Sequence, residues 1–97
     1  MILNQSTSVT LQQEDAAGGK LRYSLIQHNC HTDSEEGNTY GIRIECSLFG
    51  ETENVAIYDI TPNIDYALEL YEIVRLYMIT PISLNDIVED FLTEKYG

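Results

Sequence analysis

From residue 40 the chain alternates with a period of two. Tyr40, Ile42, Ile44, Cys46 and Leu48 share one phase, and Gly41, Arg43, Glu45 and Ser47 share the other. Such alternation needs one buried and one wetted face, which suits an antiparallel sheet and not a parallel one covered on both sides. Asn54 to Ile60 predicts another strand, with Val55 and Ile57 on one face and Ala56 and Tyr58 on the other. The turn between them falls at Phe49-Gly50-Glu51-Thr52, which makes a hairpin. Upstream, Leu21, Tyr23 and Leu25 alternate with Lys20, Arg22 and Ser24, and Thr7, Val9 and Leu11 give a weaker first strand. Glu14-Asp15-Ala16-Ala17-Gly18-Gly19 predicts a turn between these two, with the glycines supplying positive φ. Residues 27–38 are polar and rich in turn formers, which predicts a loop.

The period then changes to that of a helix. Ile64, Ala67, Leu68, Tyr71, Val74 and Met78 recur at steps of three and four, widened by Leu70, Ile73 and Tyr77. Thr61-Pro62-Asn63 is a start signal, and Pro81 disfavours helical geometry at Thr80 and so predicts the stop. A second helix follows Ser83-Leu84-Asn85-Asp86, which resembles a capping box with Asp at N3, flanked by a staple of Ile82 and Ile87. Ile87, Val88, Phe91 and Leu92 form its apolar stripe, and Lys95 complements the dipole in its last turn. The expected fold is α+β: a four-stranded antiparallel sheet followed by two C-terminal helices packed on one face, ββββαα, in a single domain over residues 1–97.

Composition fits that expectation, with 43% hydrophobic and 22% charged residues, a globular balance. No run of 18 apolar residues predicts a transmembrane helix, and the first residues lack the basic flank and apolar stretch of a secretory signal, so the expected location is the cytoplasm. Two cysteines, Cys30 and Cys46, are expected as free thiols, Cys46 as a small buried hydrophobe. Seven tyrosines accompany no tryptophan; Tyr23, Tyr40, Tyr71 and Tyr77 fit the apolar stripes.

Charge changes the picture more. Sixteen acids against five bases give −11, of which residues 50–97 carry −8, from ten acids and two bases. Such a surface is repelled by nucleic-acid phosphates and anionic lipid headgroups, so direct nucleic-acid and membrane binding are excluded as expectations. In the second helix Asp86, Asp90 and Glu94 stand at i, i+4 and i+8, with Glu89 beside them. Like charges at that spacing cost about 0.2–0.5 kcal/mol per pair. Capping and the dipole explain Asp86 but not Asp90 or Glu94. Glu89, Asp90 and Glu94 are therefore the candidate residues for docking a basic protein surface.

Other chemistry is sparse. His28, Cys30 and His31 have metal-ligand side chains, and Asp33, Glu35 and Glu36 could add oxygens. Their spacing matches none of the common structural zinc patterns, so a polar loop without metal is the expectation. Cys30 and His31 are neighbours whose side chains point apart in an extended segment, and no Gly-x-Ser-x-Gly elbow is present. Gly18-Gly19 precedes a strand and so is no phosphate loop. No catalytic residue, cofactor or enzymatic activity is expected.

Tyr40-Gly41-Ile42, the strand reaching Asp59-Ile60, and Thr80-Pro81-Ile82-Ser83-Leu84-Asn85-Asp86-Ile87-Val88-Glu89-Asp90-Phe91-Leu92 resemble a small uncharacterised bacterial family, a domain of unknown function, over roughly residues 39–93. The resemblance implies a bacterial, cytoplasmic protein and brings no catalytic residues. The residues themselves favour a small acidic, non-enzymatic interaction or regulatory module. An alternative is an acidic mimic of nucleic acid that blocks a basic protein site. A weaker one is a metal or redox sensor built on His28, Cys30 and His31. A homodimer is also expected, because the first two strands carry few edge-blocking charges beyond Lys20 and Arg22.

Overall fold

A computed structural model describes residues 5–31, 36–48 and 50–97, apart from the side chains at positions 5–7, 30, 31, 36 and 48. The strands are β1 (Gln5–Ala16), β2 (Leu21–His31), β3 (Glu36–Leu48) and β4 (Glu51–Thr61). They form one antiparallel sheet in the order β1-β2-β3-β4, followed by helices α1 (Ile64–Leu76) and α2 (Leu84–Tyr96). The expected ββββαα order is the order found.

One core joins the layers. Leu21, Tyr23 and Leu25 of β2 and Ile42 and Ile44 of β3 pack with Ala67, Leu70, Tyr71 and Val74 of α1. Leu84, Val88 and Phe91 of α2 close it, with Cys46, Val55 and Ile57 packed alongside. A fully buried large apolar side chain contributes about 1.5–3 kcal/mol, so this cluster outweighs any polar contact in the molecule. Leu84 is fully buried although it stands between the residues of the expected cap.

The hairpin arms depart from the sequence reading. Strand, not loop, runs through Gln27–His31 and Glu36–Asn38, with Cys30 paired to Gly37 and His31 to Glu36. These arm residues are mostly polar because they lack an apolar partner layer, and alternation therefore cannot reveal them. Glu14, Asp15 and Ala16 belong to β1, not to a turn, and a 3-10 turn at Ala17–Gly19 with positive φ at all three residues reverses the chain. The rest of the expected loop, residues 32–35, and Phe49 of the expected turn lie outside the described residues.

Two bulges set which side chains meet. One in β1, between Thr10 and Gln12, inserts Leu11 and resets the phase. Val9 lies opposite Gln27, whereas Gln12 and Glu14 lie opposite Leu25 and Tyr23. Glu14 thereby comes to the helix-covered face. The other lies where Tyr40 pairs with Thr61 and Ile42 with Ile57. There β4 presses onto Gly41: a Cβ would collide with the Ile57 carbonyl oxygen and come within 2.9 Å of Tyr58 Cα. Gly41 is buried for this reason, although its phase predicted a wetted face.

Asn63 caps α1, its Oδ1 accepting from the N–H groups of Asp65 and Tyr66 at 2.9 and 3.2 Å. The helix ends at Leu76, before the stop expected at Pro81. Met78 takes a positive φ of 47°. Its N–H bonds to the Arg75 carbonyl at 3.3 Å, and the Ile79 N–H to the Val74 carbonyl at 3.0 Å, the two bonds of a Schellman motif. That left-handed position normally holds glycine, and a side chain there costs about 1–2 kcal/mol. Pro81–Ser83 then wind as a 3-10 turn leading straight into α2. Ser83 has helical φ and ψ and its side chain makes no capping bond, so the expected capping box does not form. Ile82 projects into solvent, so the expected staple is absent too.

Candidate functional site

The helix-free face of the sheet carries a row of polar pairs around the buried Ile26. Asp15 accepts from Arg22 at 2.9 Å, Gln13 donates to Ser24 at 3.1 Å, and Arg43 pairs with Glu45 at 3.2 Å. His28 belongs to this face. Its Nδ1 lies 3.0 Å from Ser8 Oγ, and its ring is tilted 48° to that of Tyr58 at 6.0 Å. The side chains of the other two residues of the metal-ligand cluster, Cys30 and His31, lie outside the described residues, as do Asp33 and Glu35. Among the described residues no three His, Cys, Asp or Glu side chains gather as a metal site. A shallow crevice lined by Tyr40, Gly41, Ile42, Ile60, Thr61, Ala67 and Leu70 has no enclosed space for even a water molecule. Small-molecule pockets hold about 300–1,000 Å³.

The helical layer is different. Lys95 of α2 reaches across to Glu69 of α1 at 2.8 Å, with its ammonium 5.3 Å from the centre of the Tyr66 ring and 5.6 Å from that of Phe91. The hydrogen bond to Glu69 raises the Lys95 pKa. Tyr96 and Thr61 share a hydrogen bond of 2.6 Å, and the Tyr66 ring stands edge-on to Tyr96 at 5.6 Å. These contacts hold the last turn of α2 against the start of α1. They also give Tyr66 and Tyr96 structural work that the apolar stripes did not reveal.

The pairing of charges separates the two helices. Arg75 of α1 donates to Glu72 at 2.6 Å, which raises the Arg75 pKa, and lies 3.5 Å from Glu14. Glu69 and Glu72 on α1 thus each face a cation, while Asp65 in its first turn and Asp86, Glu89, Asp90 and Glu94 on α2 are exposed and meet none within 4.0 Å among the described residues. Asp86 lies in the first turn of α2, where the helix dipole favours a carboxylate. Glu89, Asp90 and Glu94, the residues singled out in the sequence, share the outer face of one docked helix. The i, i+4 spacing made this stripe legible. The pairing of Glu69 with Lys95 depends on a tertiary contact and was not, whereas Glu72 and Arg75 pair at i, i+3 within α1.

One exposed feature escaped the sequence reading. Between the helices, Leu76, Tyr77, Met78 and Ile82 are 64, 74, 53 and 87% exposed. Helical periodicity had put Tyr77 and Met78 in the core. The Schellman turn at Met78 releases both from the stripe. Ile82 stands in the turn before Asp86, so this apolar corner adjoins the acidic face of α2.

A family model described as a family of unknown function (DUF6514) matches residues 3–94. The chain belongs to that family, and the match takes in the first two strands, which the resemblance over residues 39–93 had left out. No curated protein and no solved structure matches the chain. No helix is long and apolar enough to cross a membrane among the described residues.

Proposed function

We propose that this chain is a non-enzymatic interaction module whose outer α2 face docks a basic surface of a partner protein. The single observation that carries this reading is the contrast in pairing: beyond the first turn, the acids of α1, Glu69 and Glu72, pair with Lys95 and Arg75, whereas Glu89, Asp90 and Glu94 of α2 are left open among the described residues. Two like-charge i, i+4 pairs, Asp86–Asp90 and Asp90–Glu94, cost the helix about 0.4–1 kcal/mol together. A cationic partner repays that cost on binding. An intracellular, bacterial setting belongs to the same reading and rests on the free thiols expected of the sequence and on the family resemblance.

The nucleic-acid mimic is the second reading, and charge density favours the first over it. Asp86 to Glu94 spans about 12 Å of helix and carries four acids. The same length of duplex carries about seven phosphates. The sensor reading draws no support from the contacts of His28. A copy of the same chain is the other expected partner, and it would meet the β1 edge, which is uncharged from Gln5 to Gln13, while β4 presents Glu51, Glu53 and Asp59. Light scattering tests that pairing: a mass of 11.0 kDa at all concentrations removes it.

Affinity capture from cells that make this chain tests the docking face. Wild type at low salt is expected to retain a basic protein that Asp90→Asn with Glu94→Gln does not. A partner held equally by both removes the acidic face from the account.

A further inference from the structure

The corner at Leu76–Ile82 is expensive in a small acidic protein. Four large apolar side chains stand in water within seven residues of chain. Large apolar side chains exposed together along one short connection mark a candidate contact site. The position of Met78 adds an independent observation. It occupies the left-handed residue of a Schellman motif, where glycine carries no steric penalty, and its side chain is over half exposed. Packing inside the fold does not account for a methionine there.

The surroundings decide what covers the corner. Ile82 leads into α2 one turn before Asp86, and the acids of α2 continue from it. A second copy docking here would bring two such stripes together. An anionic lipid surface would meet the same repulsion. An apolar surface bordered by unpaired carboxylates complements a segment that carries apolar side chains on one face and lysine or arginine beside them.

We infer that the α1–α2 corner is the apolar half of the docking surface, and that its occupant is an amphipathic basic segment of a partner protein. Its apolar side chains cover Tyr77, Met78 and Ile82, and its cations face Asp86 and Asp90. This rests on the docking reading above and adds to it the class of segment recognised.

Two labelled synthetic peptides of equal charge test it by fluorescence anisotropy, one helix-forming and built of leucine and lysine, the other with serine in place of leucine. Wild type is expected to bind the leucine peptide at least about tenfold more tightly than the serine peptide. Tyr77→Ser with Ile82→Ser should bring the two affinities together, and Met78→Gly should narrow the gap without harming the fold. Equal affinity of wild type for both peptides, or a gap unchanged in Tyr77→Ser with Ile82→Ser, overturns the inference. Self-association of wild type that disappears in that variant assigns the corner to a second copy and also overturns it. Binding of both peptides undiminished by Asp90→Asn with Glu94→Gln, with the leucine preference kept, instead counts against the acidic face alone.

Discussion

The hydroxyl of Tyr23 donates a 2.9 Å hydrogen bond to the carbonyl of Ile79, joining the centre of the sheet to the corner between the helices. Tyr23 is fully buried, and burial raises its pKa, with a smaller contribution from Cys46. The bond therefore pins the exposed apolar corner to the buried core. Tyr23→Phe leaves the Ile79 carbonyl without this donor and should cost about 1–2 kcal/mol. Urea melts measure it, and an unchanged midpoint would show the corner held by other contacts.

The two helix starts should respond differently to loss of a cap. Asn63→Ala removes an acceptor used by two N–H groups and should cost about 1 kcal/mol. Ser83→Ala removes no capping bond and should stay within about 0.5 kcal/mol of wild type. Equal losses at both positions would restore Ser83 as a cap.

At the end of α1, Met78→Gly should stabilise the fold by about 0.5–1 kcal/mol. It relieves the left-handed strain of about 1–2 kcal/mol, partly offset by the extra freedom glycine gives the unfolded chain. A lower melting temperature would mean that Met78 packs in ways its exposure hides.

Tyr71 supplies a pH dependence. Burial, and then the charge of Glu14 and the hydrogen bond to it, push its pKa from 10 up to about 12. The folded state thus holds the phenol proton more tightly than the unfolded chain. That stability is fully present below pH 10 and is lost as pH rises through about 12. Melting temperature should fall more steeply over that window in wild type than in Tyr71→Phe. Parallel curves would place the alkaline loss elsewhere.

Much of this was legible in the sequence where one face is buried. Tyr40 to Leu48 announced β3, and the Tyr71 and Val74 spacing announced α1. The misreadings share a cause: each lies where tertiary structure overrides a local signal. Gln27 to His31 form strand without an apolar face. Met78 ends a helix from a position where only glycine would have signalled it. Ser83 looks like a cap, yet it closes the 3-10 turn Pro81–Ser83 with helical φ and ψ, and the extended residue is Thr80, three positions earlier. The acid stripe was visible from spacing, but the apolar corner beside it depends on the helix stopping early, and so it surfaced only in three dimensions.

The most direct measurement of the docking account is the affinity between this chain and the basic protein it captures, taken at two salt concentrations. Screening shrinks the Debye length from about 10 Å at 0.1 M salt to about 3 Å at 1 M. The account predicts that wild-type affinity falls at least about tenfold between them, and that Asp90→Asn with Glu94→Gln is weak at both. The same variant should melt slightly higher than wild type, because two repulsive pairs are gone. An affinity indifferent to salt and to the substitutions would contradict the account and leave the charge of α2 with solubility alone.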